Sequence, residues 1–411
     1  MSSKSRVRAG SIAYYPRKKA SSHLARFNSF PEVEVKEGDK SKPLNFLAYK
    51  AGMTHVLGKD AHDKSITAGH EIAVAATVLE APPLKVFGVR AYGKAPAGSY
   101  GTGPMGDVFA ESVDKAILKR LKNFKKKSKG KKKKGKTPAE IEKEKAKKKA
   151  GEKKAKTFED LLKEKEKILD VRLLCHSQPA LTKMGKKKPD ICEVALAGSI
   201  EQKLAYAKEK LGFEIAAAEA LEEKHFVDIR AVTKGKGMQG PVKRAGVKIQ
   251  RPKAKKRRVV GSISPWNPST VMWQVARPGH MGYHSRTENN KKVLMVGLGK
   301  EASQVNPKGG FKNYSMVQSD FVVLAGSIAG PAKRAVSLRS PIRGIPLERH
   351  KIDSIDYVAG TRTEAGAELD EEIKVGNVVE KKDEKKEKKS VADEIAAAMK
   401  GDEKREKPKS K

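Results

Sequence analysis

The sequence predicts a mainly β protein with an α/β section inserted into it, and three observations carry that reading. Short runs rich in Val, Ile, Phe and Tyr recur between Gly and Pro residues. Helical patterning clusters in the middle of the chain, and strand-type runs return after it. The strand candidates are 46–57, 71–82, 85–93, 171–178, 191–198, 226–233, 292–297 and 320–330. Ile72, Val74, Ala76 and Val78 alternate with other residues, as in a strand with one buried face. One helix is expected over 107–121, DVFAESVDKAILKRL. A second, IEQKLAYAKEKLG, opens at Ser199, three residues before Gln202, the spacing of a capping box. Leu204, Ala205, Ala207 and Leu211 make its apolar stripe and Gly212 stops it. Strands, a helical interruption and strands again imply a closed or nearly closed β-domain carrying an α/β insertion.

With 411 residues the chain has room for two or three domains. Its 88 Lys and Arg against 49 Asp and Glu leave a formal charge of +39. No apolar run approaches the ~20 residues of a membrane span, and MSSKSRVRAG lacks the apolar core of an export signal. Two cysteines, Cys175 and Cys192, cannot form a zinc cluster or a disulfide framework, which fits a reducing compartment. Excess charge of this size works against compaction, so a polyanion is the expected partner, nucleic acid first.

The charge is unevenly placed. Residues 364–411 hold fourteen acids and thirteen bases with no Trp, Tyr or Phe, and are expected to be disordered apart from a short helical tendency at 391–400. Residues 122–156 carry eighteen Lys against four Glu. Their first half is expected to be disordered by repulsion, and the stretch from Ala139 into LLKEKEKIL to form a solvated helix. That block reads either as an expendable insertion or as a phosphate-seeking arm. The sharpest signal lies between Asp228 and Glu288, where no acid occurs while fourteen Lys and Arg do. Trp266, Trp273, Tyr283, His280 and His284 are interleaved there, and both tryptophans of the chain are among them. Surfaces of soluble proteins normally mix signs. Bases, aromatics, Gly and Pro without acids suit contact with RNA phosphates and bases. The stretch falls between two strand candidates, so it should emerge as a long loop, with a reach of up to roughly 70 Å for two arms.

Two nucleotide-type motifs are declined. Gly130–Thr137, GKKKKGKT, matches a phosphate-loop spacing, but no strand can form from the LKNFKKKSK before it. Gly235, Gly237 and Gly240 match G-x-G-x-x-G, yet Pro241 and a non-periodic basic stretch follow, with no acid until Glu288. These glycines are read as letting the backbone approach RNA. His55, His62 and His70 have no Cys or acid to complete a metal pattern, and no catalytic constellation stands out. No metal, cofactor or small-molecule substrate is expected. An RNA-modifying enzyme would need a cofactor loop or paired carboxylates, which the basic segment lacks; a free RNA chaperone is the other alternative.

Several blocks together resemble a known family: RAGSIAYYPRKKA (8–20), YKAGMTHV (49–56), APPLKVFGVRAYG (81–93), VTKGKGMQGPVKR (232–244), PWNPSTVMW (265–273), GHMGYHSRTENN (279–290), NPKGGF (306–311) and GSIAGPAKRAVSLR (326–339). They are similar to the universal large-subunit ribosomal protein three family, in its archaeal or eukaryotic form. The resemblance implies a six-stranded translation-protein-type β-barrel with long extensions into ribosomal RNA. Together with the composition, it divides the chain into an N-terminal basic extension (1–44), a barrel domain (45–93 and 225–345), an inserted α/β domain (94–224) with the Lys-rich block 122–156, and a central RNA-binding loop (233–287); the mostly disordered tail (346–411) is read from composition, and on it and the Lys-rich block the resemblance is silent. It implies a structural role in the large subunit, in assembly, and a loop reaching toward the peptidyl transferase centre with Trp266 at its tip, catalysis belonging to RNA. Its partners would be large-subunit ribosomal RNA and neighbouring ribosomal proteins.

The RNA-contacting residues expected on these grounds are Arg17, Lys18 and Lys19 in the extension, Lys234, Lys236, Lys243, Arg244, Lys248, Arg251, Lys253, Lys255, Lys256, Arg257, Arg258, Trp266, Arg277, His280, Tyr283, His284 and Arg286 in the loop, and Lys333, Arg334 and Arg339 beyond it. Trp273 is read as a core anchor at the loop base. The chain departs from the family pattern at Ala245, where a Trp is usual, and at Asn267, where a His is common. RPKAKKRR has no clear counterpart of the histidine methylated in eukaryotic members, so no such mark is expected.

Overall fold

The computed structural model describes residues 15–121, 158–344, 352–358 and 361–362, apart from 37, 63, 96–100 and 254–255. It is mainly β with few helices, and all eight strand candidates lie on strands. The chain forms β1 (Asn45–Asp60), β2 (Glu71–Glu80), β3 (Leu84–Lys94), β4 (Thr102–Phe109), β5 (Asp170–His176), β6 (Ile191–Ala195), β7 (Glu214–Ile215), β8 (Phe226–Val232), β9 (Met238–Gln239), β10 (Gly279–His280), β11 (Ser285–Gly297), β12 (Phe321–Ala325), β13 (Ala335–Arg339), β14 (Ile352–Val358) and β15 (Thr361–Arg362).

The larger sheet runs β13-β8-β11-β12-β2-β1-β14-β15, and β1 also pairs with β13. Strand β1 serves three partners because it is 16 residues long. Its first residues face β13, from Asn45↔Arg339 to Tyr49↔Ala335. It pairs with β2 along most of its length, and its last residues pair with β14. The register shifts between Lys50 and Gly52, and a Cβ at position 52 would lie 2.4 Å from the Phe311 ring, so the shift needs glycine. The smaller sheet is β4-β3-β5-β6, with β7 added to β3. The chain before β1 caps its edge. Leu44 N–H donates to the Ala195 carbonyl at 2.8 Å, and the Asn45 amide bonds Glu193 O and Ala195 N as a further strand residue would. The Tyr49 hydroxyl reaches Ser177 and Asp190 from the first sheet, joining the two layers in one core.

The helix Ile200–Lys210 forms with both halves of its capping box, and Gly212 follows it at φ +89°. Its buried side chains are Leu204, Tyr206 and Ala207, whereas Ala205 faces out. Three expectations need correction. Residues 107–121 are not a helix: Asp107–Phe109 end strand β4, and only Ile117–Lys119 turn as a 3-10 helix. Cross-strand pairing outweighs local propensity here. Arg90 grips Asp107 bidentately at 2.7 Å, and Phe109 stacks on Phe87. Strand β3, assigned by sequence to the barrel domain, is the central strand of the smaller sheet. Residues 352–358, assigned to a mostly disordered tail, add a strand to β1. The short helix Phe158–Lys163 is seen; the lysine-rich block before it, the GKKKKGKT motif, and the tail from 363 on lie outside the described residues.

Glu80, fully buried at the end of β2, fixes the chain leading into β12. Its carboxylate accepts from the Tyr314 hydroxyl, from the backbone amides of Gln318 (2.9 Å) and Ser319 (3.1 Å), and from Ser319 Oγ. Burial and this carboxylate push the Tyr314 phenol above its ordinary range, so it remains a donor. Glu80→Ala strands these donors in the interior and should cost about 3 kcal/mol. Chemical denaturation will read this as a lower midpoint at unchanged slope, with Glu80→Gln intermediate; an unaltered midpoint for the alanine variant would refute the assignment.

Candidate nucleic-acid interface

The acid-free segment leaves the larger sheet at the end of β8 and returns at the start of β11, where Ser285 pairs with Val232. Adjacent antiparallel strands thus fix both ends of the excursion. Just beyond them its two limbs are pinched together. Gly282 sits at φ +72°, and a Cβ there would lie 2.0 Å from the Lys234 carbonyl oxygen, so only glycine fits. Lys236 N–H donates to Met281 O at 2.8 Å, and Met281 N–H to Gly237 O at 2.9 Å. Strands β9 and β10 pair next. The helix Pro241–Ala245 follows, with Pro at its start and Gly246 in the left-handed conformation at its end. Gly235, Gly237 and Gly240 precede a helix of only five residues, and Gly237, at φ +67°, accepts from Met281 N–H within the pinch.

The N-terminal segment lies across this pinch. Ala20 N–H donates to Tyr283 O at 2.8 Å. His284 Nδ1 lies 2.8 Å from Lys18 O, which makes that nitrogen the donor. Tyr283 OH is 2.8 Å from His23 Nδ1, and the two rings meet edge to face at 5.6 Å. Lys19 and Arg334 approach the Tyr283 ring at 5.8 and 5.5 Å. Arg244 donates to three backbone carbonyls: His280 from Nε (3.1 Å), Arg277 from Nη1 (3.0 Å) and Arg17 from Nη2 (3.1 Å). One guanidinium thus ties the short helix, the returning limb and the N-terminal segment together. Sequence reasoning missed this clamp. Residues 17–23 and 283–284 are some 260 positions apart, and no local pattern joins them.

The expected contact residues divide into two sets. Arg339 belongs inside the protein: it is 6% exposed, pairs with Asp228 at 2.6 Å, donates to Ser29 O and covers the Phe27 ring. It neutralises the last acid before the acid-free segment and cannot face RNA. Arg244, Tyr283, His284 and Arg334, whose Nη1 bonds Val232 O at 3.1 Å, build the base. Exposed are Lys18, Lys19, Lys234, Lys236, Lys243, Lys248, Arg251, Lys253, Lys256, Arg257, Arg258, Arg277, His280 and Lys333; Arg17 and Arg286 are half-buried. Lys255 lies outside the described residues. Trp266 is 97% exposed. Trp273 is 61% exposed and so is no core anchor. Met238, Ile249, Val259, Ile263 and Met272 are exposed as well.

Among the described residues no group of His, Cys, Asp and Glu could hold a metal, and no helix is long and apolar enough to cross a membrane. Cys175 and Cys192 face each other in β5 and β6. Burial pushes the Cys192 thiol up to about 12 and the Cys175 thiol well above its ordinary value.

A β-sheet scaffold that holds out a clamped finger of cations, aromatics and exposed apolar side chains defines a nucleic-acid-binding structural protein. The chain belongs to the ribosomal protein L3 family, whose model matches residues 1–361. It is 41% identical over 361 residues to the large ribosomal subunit protein uL3 of Methanocaldococcus jannaschii, covering 87% of this chain and 97% of that one. It is 42% identical over 340 residues to the uL3 protein of Methanobrevibacter smithii, covering 82% and 91%.

Arg244→Ala should free the finger base without unfolding the sheets. Hydrogen exchange at residues 17–20 and 277–284 should speed up at least tenfold, since a lost charge-assisted bond is worth about 1.5–3 kcal/mol. Exchange in β1, β2 and β12 should not change. Equal acceleration in both regions would show that Arg244 supports the whole fold instead.

Proposed function

We propose that the chain is a structural constituent of the large ribosomal subunit that binds its RNA and supports subunit assembly, with the finger 233–287 running through folded RNA toward the peptidyl transferase centre. Family membership supports the subunit role. It also makes the chain a structural component and not an enzyme. The pairing of β1 with both β2 and β13 supports reading β13, β8, β11, β12, β2 and β1 as the six-stranded barrel of translation proteins.

One observation carries the finger's role: from 229 to 287 there is no acid among fourteen Lys and Arg, and none of those that the structure describes is buried. Within crowded RNA helices each Lys or Arg displaces counterions from a phosphate. About 10 such contacts correspond to a salt slope of roughly 7–9 units. Lys and Arg would position the finger. Trp266, bare in the free protein, would gain a stacking partner worth about 1–3 kcal/mol. Lys243, Lys248, Arg251, Lys253 and Lys256 belong with Arg257 and Arg258 on the phosphate-facing limb. Neighbouring ribosomal proteins complete the set of partners.

Subunits carrying Trp266→Ala and subunits carrying Arg257→Glu with Arg258→Glu test this. The charge reversal should flatten the salt dependence of RNA binding and slow assembly. The tryptophan variant should assemble but translate poorly. Normal assembly and translation by both would exclude the proposed role.

A further inference from the structure

We infer that the cleft between the N-terminal segment and the finger base is a built site for a single phosphate group of the bound RNA. The inference rests on the RNA-binding reading above and narrows it to one anion at one place. The cleft is about 310 Å³ and is lined by Arg17, Lys234, Lys236, Arg244, His284 and Arg286, with Met281 on its wall. Among the described residues that line it, none is acidic.

Three features separate this cleft from an ordinary basic surface. Its cations converge although like charges repel. The charge of Lys234 extends as far as the buried Lys50, whose ammonium is held below its ordinary range by burial first and by Lys234 second. No salt bridge with a described residue relieves Lys234 or Lys236. Arg17 Nε is buried without a hydrogen-bond partner among the described residues, and such an N–H costs free energy until something accepts it. The frame is also preset. Arg244 is spent on three carbonyls, one of them Arg17's own, and Gly282 is locked against Lys234 O. The cleft therefore cannot collapse to satisfy its own donors. A phosphate would bring several acceptor oxygens and negative charge to a rigid guanidinium and two mobile ammonium groups, a combination suited to it. The position at the root of an acid-free finger favours an RNA phosphate over the carboxylate of an acidic peptide.

The full-length protein with ¹³C-methyl methionine gives the readout, because Met281 lines the cleft. Inorganic phosphate is titrated at constant ionic strength against chloride, with acetate as a carboxylate control. The Met281 signal should shift saturably with phosphate and not with acetate. Arg17→Gln and Lys236→Gln should each weaken the phosphate response at least roughly tenfold while leaving the Met295 and Met316 signals and the melting temperature unchanged. Ethylation interference on large-subunit RNA then identifies the source. Among the phosphates that interfere with binding of the natural protein, one should cease to interfere with Arg17→Gln. Absence of a saturable shift, an equal shift with acetate, or an unchanged interference pattern overturns the inference. RNA binding measured in the same samples stays intact in those outcomes if the broader reading holds, and fails only if that reading is wrong too.

Discussion

Like-charge repulsion is the constraint that organises this molecule. Two unit charges 4 Å apart in water repel by about 1 kcal/mol, and one excursion of chain carries fourteen with no acid among them. The protein does not answer with carboxylates. At the finger base Arg244 binds three carbonyls, Arg334 binds Val232 O, His284 binds Lys18 O, and nearby Lys50 binds Ile328 O. A carbonyl dipole satisfies a donor and fixes geometry while leaving the net charge in place. Acids are used elsewhere. Arg90 pairs with Asp107 and Glu193, Arg172 with Asp170, and Arg339 with Asp228. The same side chain is neutralised within the sheets and left charged at the finger base.

That division gives the scaffold its purpose. The finger springs from two neighbouring strands of one sheet, so its root inherits the rigidity of β8 and β11. The N-terminal segment then crosses the root and removes freedom left to the two paired limbs. Beyond the clamp, order is bought with little: a turn closed by Gln250 N–H to Arg257 O at 2.9 Å and another at Met272–Val275. Trp266 is bare, and Ile263, Met272 and Trp273 are only partly covered. Burying them in a partner returns hydrophobic free energy of about 25 cal/mol per Å², on top of what the charges gain. The finger is thus incomplete alone in both its charge and its apolar surface.

The sequence made a good part of this legible. Strand candidates with dense β-branched and aromatic residues all lie on strands, and the capping box at Ser199 formed because its two hydrogen bonds are local. What failed was decided at long range. Residues 107–109 have helical neighbours in sequence, but Arg90 and Phe87 draw them into a sheet. Residues 352–358 look like the start of a polar tail, yet the second half of β1 has an edge to offer them. The finger was visible as an absence of acids. The clamp was not, because His23 and Arg17 meet Tyr283 and Arg244 only after the fold has closed.

This also decides how the basic residues should be counted. Composition treats every Lys and Arg as a possible phosphate ligand, whereas the structure separates them by what their nitrogens already hold. Arg339 is sealed against Asp228, and Arg244 is committed to backbone. Lys234 and Lys236 are exposed beside them. The chemistry fits the division: a rigid planar fork can hold three carbonyls at fixed angles, whereas a flexible ammonium makes a mobile point charge. Replacing Arg244 by Lys would keep the charge and lose the clamp; replacing Lys236 by Arg would keep both the clamp and the charge. At the finger base the exposed charge is therefore carried by Lys234 and Lys236, and its position in space is set by Arg244 behind them.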